Sequence, residues 1–282
     1  MGKLAAMWAL NPDLKLWGKR RLCRVGAWLG SFLLLAGAAG AEQVKPLVDL
    51  PTEWVFQPTY SDEFEGVAVD AGKWRGDVKP WGSWTWDTSL VRVQGGRLQL
   101  GMAYESHVRD GRNLYYRAGI LQSRGEPRRQ GYFEARIRAA PRFPGVATGF
   151  WLFRNTPEYW TEIDIVEMMQ LKLDKRVIHH SLYVMRGAFA PAVPVRENRS
   201  ARVDWDPSAA FHVYSCLWTE QEIRFFVDGR LLSVEPNVYW HRPMDVVLSL
   251  GLRGPLDKVA ITSGFPTWAA VDYLRVWGPK AQ

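Results

Sequence analysis

Short runs of alternating apolar and polar residues, broken by turn residues, fill the chain, and no segment keeps a helical period for three turns. Ser89–Gln94 and Arg97–Ala103 flank Gly95-Gly96 as a hairpin, and Glu222–Val227 and Arg230–Val234 flank Asp228-Gly229, a favoured type I′ turn pair. Gly131–Ala139 alternates Tyr132, Glu134, Arg136 and Arg138 against Phe133, Ala135, Ile137 and Ala139. The pattern predicts further strands at Gly149–Phe153, Glu162–Met168, Val177–Val184, His212–Trp218, Val246–Leu252 and Ala270–Trp277. A dozen or so strands make an all-β chain, and at this length they imply a jelly-roll sandwich of two antiparallel sheets.

The N-terminus stands apart from this pattern. Lys15, Lys19, Arg20, Arg21 and Arg24 precede an apolar run from Val25 to Gly37, and Ala39-Gly40-Ala41 supplies small residues for cleavage, so residues 1–41 are expected to be a secretory signal. The run is too short for a membrane span, which needs about 20 residues, and Cys23 lies before it, where a lipid-anchor cysteine would follow it. The expectation is a secreted or periplasmic protein with no membrane contact once the signal is removed. Residues 42–59, with Pro46, Pro51 and Pro58, form a lead-in, and 60–282 a single domain.

Charge changes meaning accordingly. The signal segment holds six of the 36 Lys and Arg and one of the 29 Asp and Glu, so the remainder carries 30 basic against 28 acidic residues. That balance gives no support for a nucleic-acid partner. Only Cys216 remains after the signal, so no intrachain disulfide forms, and its apolar surroundings make it a core thiol.

Chemistry enters at Thr161–Met168, where three carboxylates interrupt an Ile- and Val-rich strand. In a regular strand Glu162 and Asp164 share one face and Glu167 takes the other; a β-bulge at Ile165-Val166 brings Glu167 back beside them. Four effective steps of about 3.3 Å, less the inward lean of two Glu side chains, leave the carboxyls about 5 Å apart, as in a retaining glycosidase. One Glu then attacks the anomeric carbon and the other serves as acid and base. Asp164 between them could share a proton with the nucleophile and raise the acid's pKa by repulsion.

Twelve Trp remain after the signal. Trp151, Trp218 and Trp277 sit in apolar strands and are expected in the core. Trp81, Trp84 and Trp86 crowd a turn-rich stretch, and are candidates for stacking on sugar rings, as is Trp160 beside the acidic strand.

Taken in order, Ser61-Asp62-Glu63-Phe64 with Lys73-Trp74, Gly131–Ile137, Gly149–Leu152, Glu162–Met168, Glu222–Gly229 and Val271–Trp277 resemble the successive segments of glycoside hydrolase family 16, whose active strand carries E-x-D-x-x-E. The resemblance runs from about Tyr60 to Trp277. It implies a concanavalin A-like jelly roll with a concave substrate cleft, Glu162 as nucleophile, Glu167 as acid/base and Asp164 as the assisting carboxylate. It implies no required cofactor; some members carry a structural calcium near the opening and closing segments, where Glu63 and Asp272 match.

Phe143-Pro144-Gly145-Val146, Tyr115–Leu121 and the VEM-x-Q ending at Gln170 resemble the branch acting on red-algal galactans: carrageenases, porphyranases and agarases. That branch often shows H-x-N-x-H after the active strand; His180 matches the first histidine, with Ser181 and Tyr183 in place of the polar pair that follows. A sulfated substrate would call for cations, and Arg154, Arg176 and Arg186 flank the active strand. The expected activity is therefore endo-acting, retaining hydrolysis of a β-linked galactan by a monomer. A β-1,3-glucanase, a transglycosylase and a non-catalytic glycan-binding jelly roll are the alternatives.

Overall fold

The computed structural model of the chain describes residues 44–168, 174–186, 195–254 and 256–280. Residues 1–41, expected to be a signal, and Gln170 lie outside them. Among the described residues seventeen strands form two stacked sheets.

The smaller sheet carries the acidic strand. Its order is Val195–Arg202, Val177–Arg186, Trp160–Met168, Val146–Asn155, Asp245–Leu252, Ile120–Ser123 and Trp74–Arg75, antiparallel throughout. The larger sheet runs Arg230–Pro236, Glu222–Val227, His212–Trp218, Gly131–Arg138, Thr267–Pro279, Leu98–Arg109, Arg112–Ala118 and Thr85–Trp86, with Trp54–Phe56 added to Thr267–Pro279 and Val91–Val93 to Leu98–Arg109. One pairing in it, Thr85–Trp86 with Arg112–Ala118, is parallel.

Alternation decides what fills the space between. Phe150, Leu152, Ile163, Val246, Leu248 and Leu250 from the smaller sheet meet Leu98, Leu100, Phe133, Ala135, Cys216, Trp218, Phe225 and Leu274 from the larger, all at most 1 % exposed. Each large side chain buried this way stabilises the fold by about 1.5–3 kcal/mol. At one end the opening between the sheets is closed by polar contacts. Arg199 Nη2 donates to Glu235 Oε2 across 3.2 Å, and His180 Nε2 lies 2.8 Å from Ser233 Oγ.

The structure corrects the boundary of the lead-in. Trp54–Phe56 pairs with Thr267–Pro279, and Val44, Val48, Leu50, Trp54 and Phe56 pack on Tyr132, Leu217, Phe226 and Trp277 on the outer face of the larger sheet. The Leu47 N–H also donates to the buried Glu134, which accepts from the Tyr132 and Tyr273 hydroxyls as well. Trp277 therefore belongs to an outer cluster rather than to the main core. Two strands of weak alternation, Arg112–Ala118 and the polar Val195–Arg202, join those expected from the pattern.

Glu63 and Asp272, which the resemblance sets in the region of a possible calcium but which read as ordinary surface carboxylates, have other partners. Glu63 takes a two-pronged ion pair from Arg275 at 2.8 Å on each oxygen, and Asp272 accepts from Arg97 at 3.1 Å and Arg136 at 2.5 Å. With three guanidinium groups occupying these oxygens, the donor set does not fit a divalent cation.

Candidate active site

The bulge is where the strand needs it. Asp164 pairs with Trp151 and Val166 with Phe150, so Ile165 is the extra residue; on the other side the register slips between Asp164 and Glu167. Ile163, Ile165, Val166 and Met168 enter the core, and Glu162, Asp164 and Glu167 emerge together into one groove. Partners directly opposite on neighbouring strands share a face, which orders the floor into rows. One row runs Arg196, Tyr183, Glu162, Phe153, Asp245; the next Asn198, Ser181, Asp164, Trp151, Val247; the third His179, Glu167, Gly149, Ser249. The groove thus crosses the strands, advancing about 4.8 Å per strand.

It has two lobes. A cavity of about 760 Å³ lies toward Trp74–Arg75 and holds Arg75, Trp81, Gln122, Trp151, Phe153, Arg154 and Asp245. A cavity of about 420 Å³ lies toward Val195–Arg202 and holds His179, Ser181, Tyr183, Met185, Arg196 and Asn198. Trp160, Glu162, Asp164, Glu167 and Arg253 line both. A chain lying along the floor would extend to either side of the carboxylates.

The electrostatics follow from burial. Glu162 is pushed up to about 7 by burial, against the hydrogen bond from Asp164 and with added repulsion from Glu167. Asp164 is raised well above the usual carboxylate range by burial and then by Glu162 and Glu167, so it holds the proton it donates to Glu162. The Arg253 guanidinium donates to Glu167 Oε1. Backbone support comes from Trp240, a buried loop indole whose Nε1 donates to the carbonyls of Glu162 (3.0 Å) and Tyr183 (3.2 Å) and so staples the two strands beside the first carboxylate.

Of the expected sugar contacts, Trp81, Trp84, Trp86, Trp160 and Arg154 line the groove. Trp81 is 37 % exposed and lines the larger lobe, edge-on to Trp86 and Trp151 and tilted on Phe153. Trp84 and Trp86 are largely buried but also line this lobe, Trp86 edge-on to Trp81 and Trp84 edge-on to Trp86. That loop is held by the Leu98–Ala118 hairpin. Arg109 donates to the carbonyls of Trp84 and, at 2.7 Å, Gly82, while His107 Nε2 lies 2.7 Å from Thr85 Oγ1. Trp160 borders both lobes, and Arg154 reaches the larger one beside Asp245, 3.4 Å from each carboxylate oxygen.

Four expectations are corrected. His180 points between the sheets, its ring 4.5 Å from Phe225, and burial with Arg199 nearby drives its pKa down to about 4, so it is a neutral core histidine. The groove histidine is His179, because the register that sets Glu162 opposite Tyr183 sends odd-numbered residues of this strand outward. Arg176 pairs with Asp174 at 3.3 Å away from the groove lining, and Arg186 is spent on Asn155 Oδ1 at 2.6 Å and the Thr156 carbonyl. Trp151, expected in the core, faces the groove between inward Phe150 and Leu152, with Nε1 donating to Ser249 Oγ at 3.1 Å. Arg253, Trp240 and Asp245 come from chain segments that carry no local signal of a site.

Comparison with known proteins agrees with this architecture. The family described as beta-porphyranase A-D, GH16 domain, matches residues 54–278. The chain is 34 % identical to the kappa-carrageenase of Pseudoalteromonas carrageenovora over 88 % of its own length and 70 % of that protein's. It is 29 % identical to the beta-glucanase of Rhodothermus marinus over 94 % and 97 %. The crystal structure of the Pseudoalteromonas carrageenovora kappa-carrageenase with an oligotetrasaccharide of kappa-carrageenan superposes with a TM-score of 0.73 at 32 % identity, covering 83 % of this chain and 98 % of that one.

Proposed function

Because this chain belongs to glycoside hydrolase family 16, we propose that it cleaves a β-linked red-algal galactan internally, with Glu162 as nucleophile and Glu167 as acid and base. The observation that carries the reading is the position of Glu162, Asp164 and Glu167 at the junction of two lobes, where a polymer can run past them on both sides. Glu162 attacks the anomeric carbon while Glu167 gives its proton to the departing glycosidic oxygen, leaving a glycosyl ester on Glu162. Glu167, now a carboxylate, takes a proton from water as the water oxygen displaces Glu162, and the β configuration is restored. Asp164 keeps its proton on the Glu162 side throughout, steadying the negative charge when the ester breaks.

Arg75, Arg154, Arg196 and Arg253 in the lobes favour a galactan that carries anionic substituents. A substituent that engages Arg253 would draw it off Glu167, so that recognition of the right sugar also frees the acid. A neutral β-glucan is the second reading, supported by the exposed Trp81 and by the beta-glucanase relative. Residues 1–41 would deliver the enzyme as a secreted monomer to polymers too large to enter a cell.

Reducing-end release from κ-carrageenan, porphyran, agarose and laminarin decides between them. Release from a galactan, lost by a factor of roughly 1,000 or more in Glu162→Ala, is the expected result; release from laminarin alone would transfer the assignment to the glucanases.

A further inference from the structure

The outer face of the larger sheet, opposite the groove, is half covered by the lead-in around Tyr132 and Trp277. The rest carries a group of arginines that the cleavage site does not use. Arg138, Ala270, Gln99 and Arg92 are successive cross-strand partners, so the two arginines stand on one row at either side of a small residue, three strands or about 14 Å apart. Beside them Arg97 and Arg136 share one carboxylate, Asp272. Among the described residues neither Arg92 nor Arg138 has an ion-pair partner; Arg92 Nε donates only to Gln99 Oε1, at 2.9 Å. Four guanidiniums against one carboxylate leave a clear local excess of positive charge.

Each of these arginines lies on an aromatic ring. Arg92 sits 4.0 Å from the centre of Trp268, whose own ring lies against bare Gly101, where an added Cβ would come within 2.7 Å. Arg97, Arg136 and Arg138 surround Phe211 at 5.2, 4.9 and 5.2 Å. A guanidinium attracted to an aromatic ring still carries five N–H donors, and of those on Arg92 only Nε is engaged among the described residues. The side chains are therefore already ordered, with donors at their edges that fit a pair of sulfate oxygens. Trp268 lies between Gly101 and Arg92 rather than protruding, and the row of cations suits an extended polyanion better than a lipid surface.

We propose that this patch is a second polysaccharide site, outside the cleft, that binds sulfated galactan chains through Arg92 and Arg138 and holds the enzyme on its polymer. The identity of the polymer rests on the function proposed above; the patch and its chemistry do not. The test is affinity electrophoresis in native gels containing κ-carrageenan, agarose or single-stranded DNA, comparing Glu162→Ala with the same chain also carrying Arg92→Ala and Arg138→Ala.

The expected result is roughly tenfold weaker retention by κ-carrageenan on loss of the two arginines, with no change in agarose or DNA gels. Arg138→Glu alone should act in the same direction. In the otherwise native chain, Arg92→Ala/Arg138→Ala should leave the melting temperature and the turnover of short oligosaccharides unchanged. Unaltered retention in κ-carrageenan would overturn the proposal, and an equal loss on DNA would overturn the assignment of the ligand. If the chain cleaves only laminarin, the function above fails while this retention assay still reads the patch.

Discussion

At the scale of single residues, the site depends on where protons sit. As the proposed nucleophile Glu162 has to be ionised, and burial raises it to about 7, so kcat/KM should rise through that pH as its proton leaves. Asp164→Ala removes the hydrogen bond that favours the Glu162 carboxylate and should move this limb upward, whereas Asp164→Asn keeps a donor and should move it less; a pH–rate profile of the three proteins reads the difference. Stability carries the opposite sign. A carboxyl whose folded pKa lies above its unfolded value binds more protons folded than unfolded, so stability falls as pH rises from about 4.5 to about 7. Glu162→Gln should remove about 3 kcal/mol of that decline, measurable by denaturant unfolding at the two ends of the window. These carboxylates could be found in the sequence because three acids in an Ile- and Val-rich strand have few explanations. Arg253 could not, since its contact with Glu167 spans 86 residues of sequence.

At the scale of elements, strands with one apolar face were legible and the bulge could be located from the spacing of the acids. Register between strands was not. His180 and His179 are adjacent, and only the pairing of Glu162 with Tyr183 decides which one faces the groove. Val195–Arg202 escaped for a related reason: its groove face is polar and its inner face carries Glu197 and Arg199, so no hydrophobic period marks it. The Leu98–Ala118 hairpin has a role no local pattern announces, since Arg109 holds two carbonyls of the loop that presents Trp81. Arg109→Ala should raise KM for polymer about tenfold, the equivalent of one or two lost hydrogen bonds to a charged donor, with kcat nearly unchanged. Steady-state kinetics would refute this if kcat fell as far as KM rose.

At the scale of the whole molecule, the lead-in is part of the fold. Its proline-rich composition conceals a strand and an apolar stretch that cover Tyr132, Leu217, Phe226 and Trp277. Deleting residues 44–50 should cost about 3 kcal/mol and lower the melting temperature by roughly 10 °C, because apolar surface is uncovered and Glu134 loses the Leu47 N–H. Turnover per folded molecule should be preserved, since the uncovered face lies on the sheet away from the groove. Calorimetry together with an activity titration separates the two effects.

The polar closure at one end of the sandwich has a consequence of another kind. Arg199 on the last strand of the smaller sheet reaches Glu235 on the last strand of the larger one, setting an ion pair across the end of the sandwich. A second molecule approaching either open edge to continue the hydrogen-bond ladder would have to strip water from these charges before gaining a single backbone bond. The arrangement makes fibrous self-assembly unfavourable at the terminal strands, so a high local concentration of the protein would not fuse its sheets edge to edge.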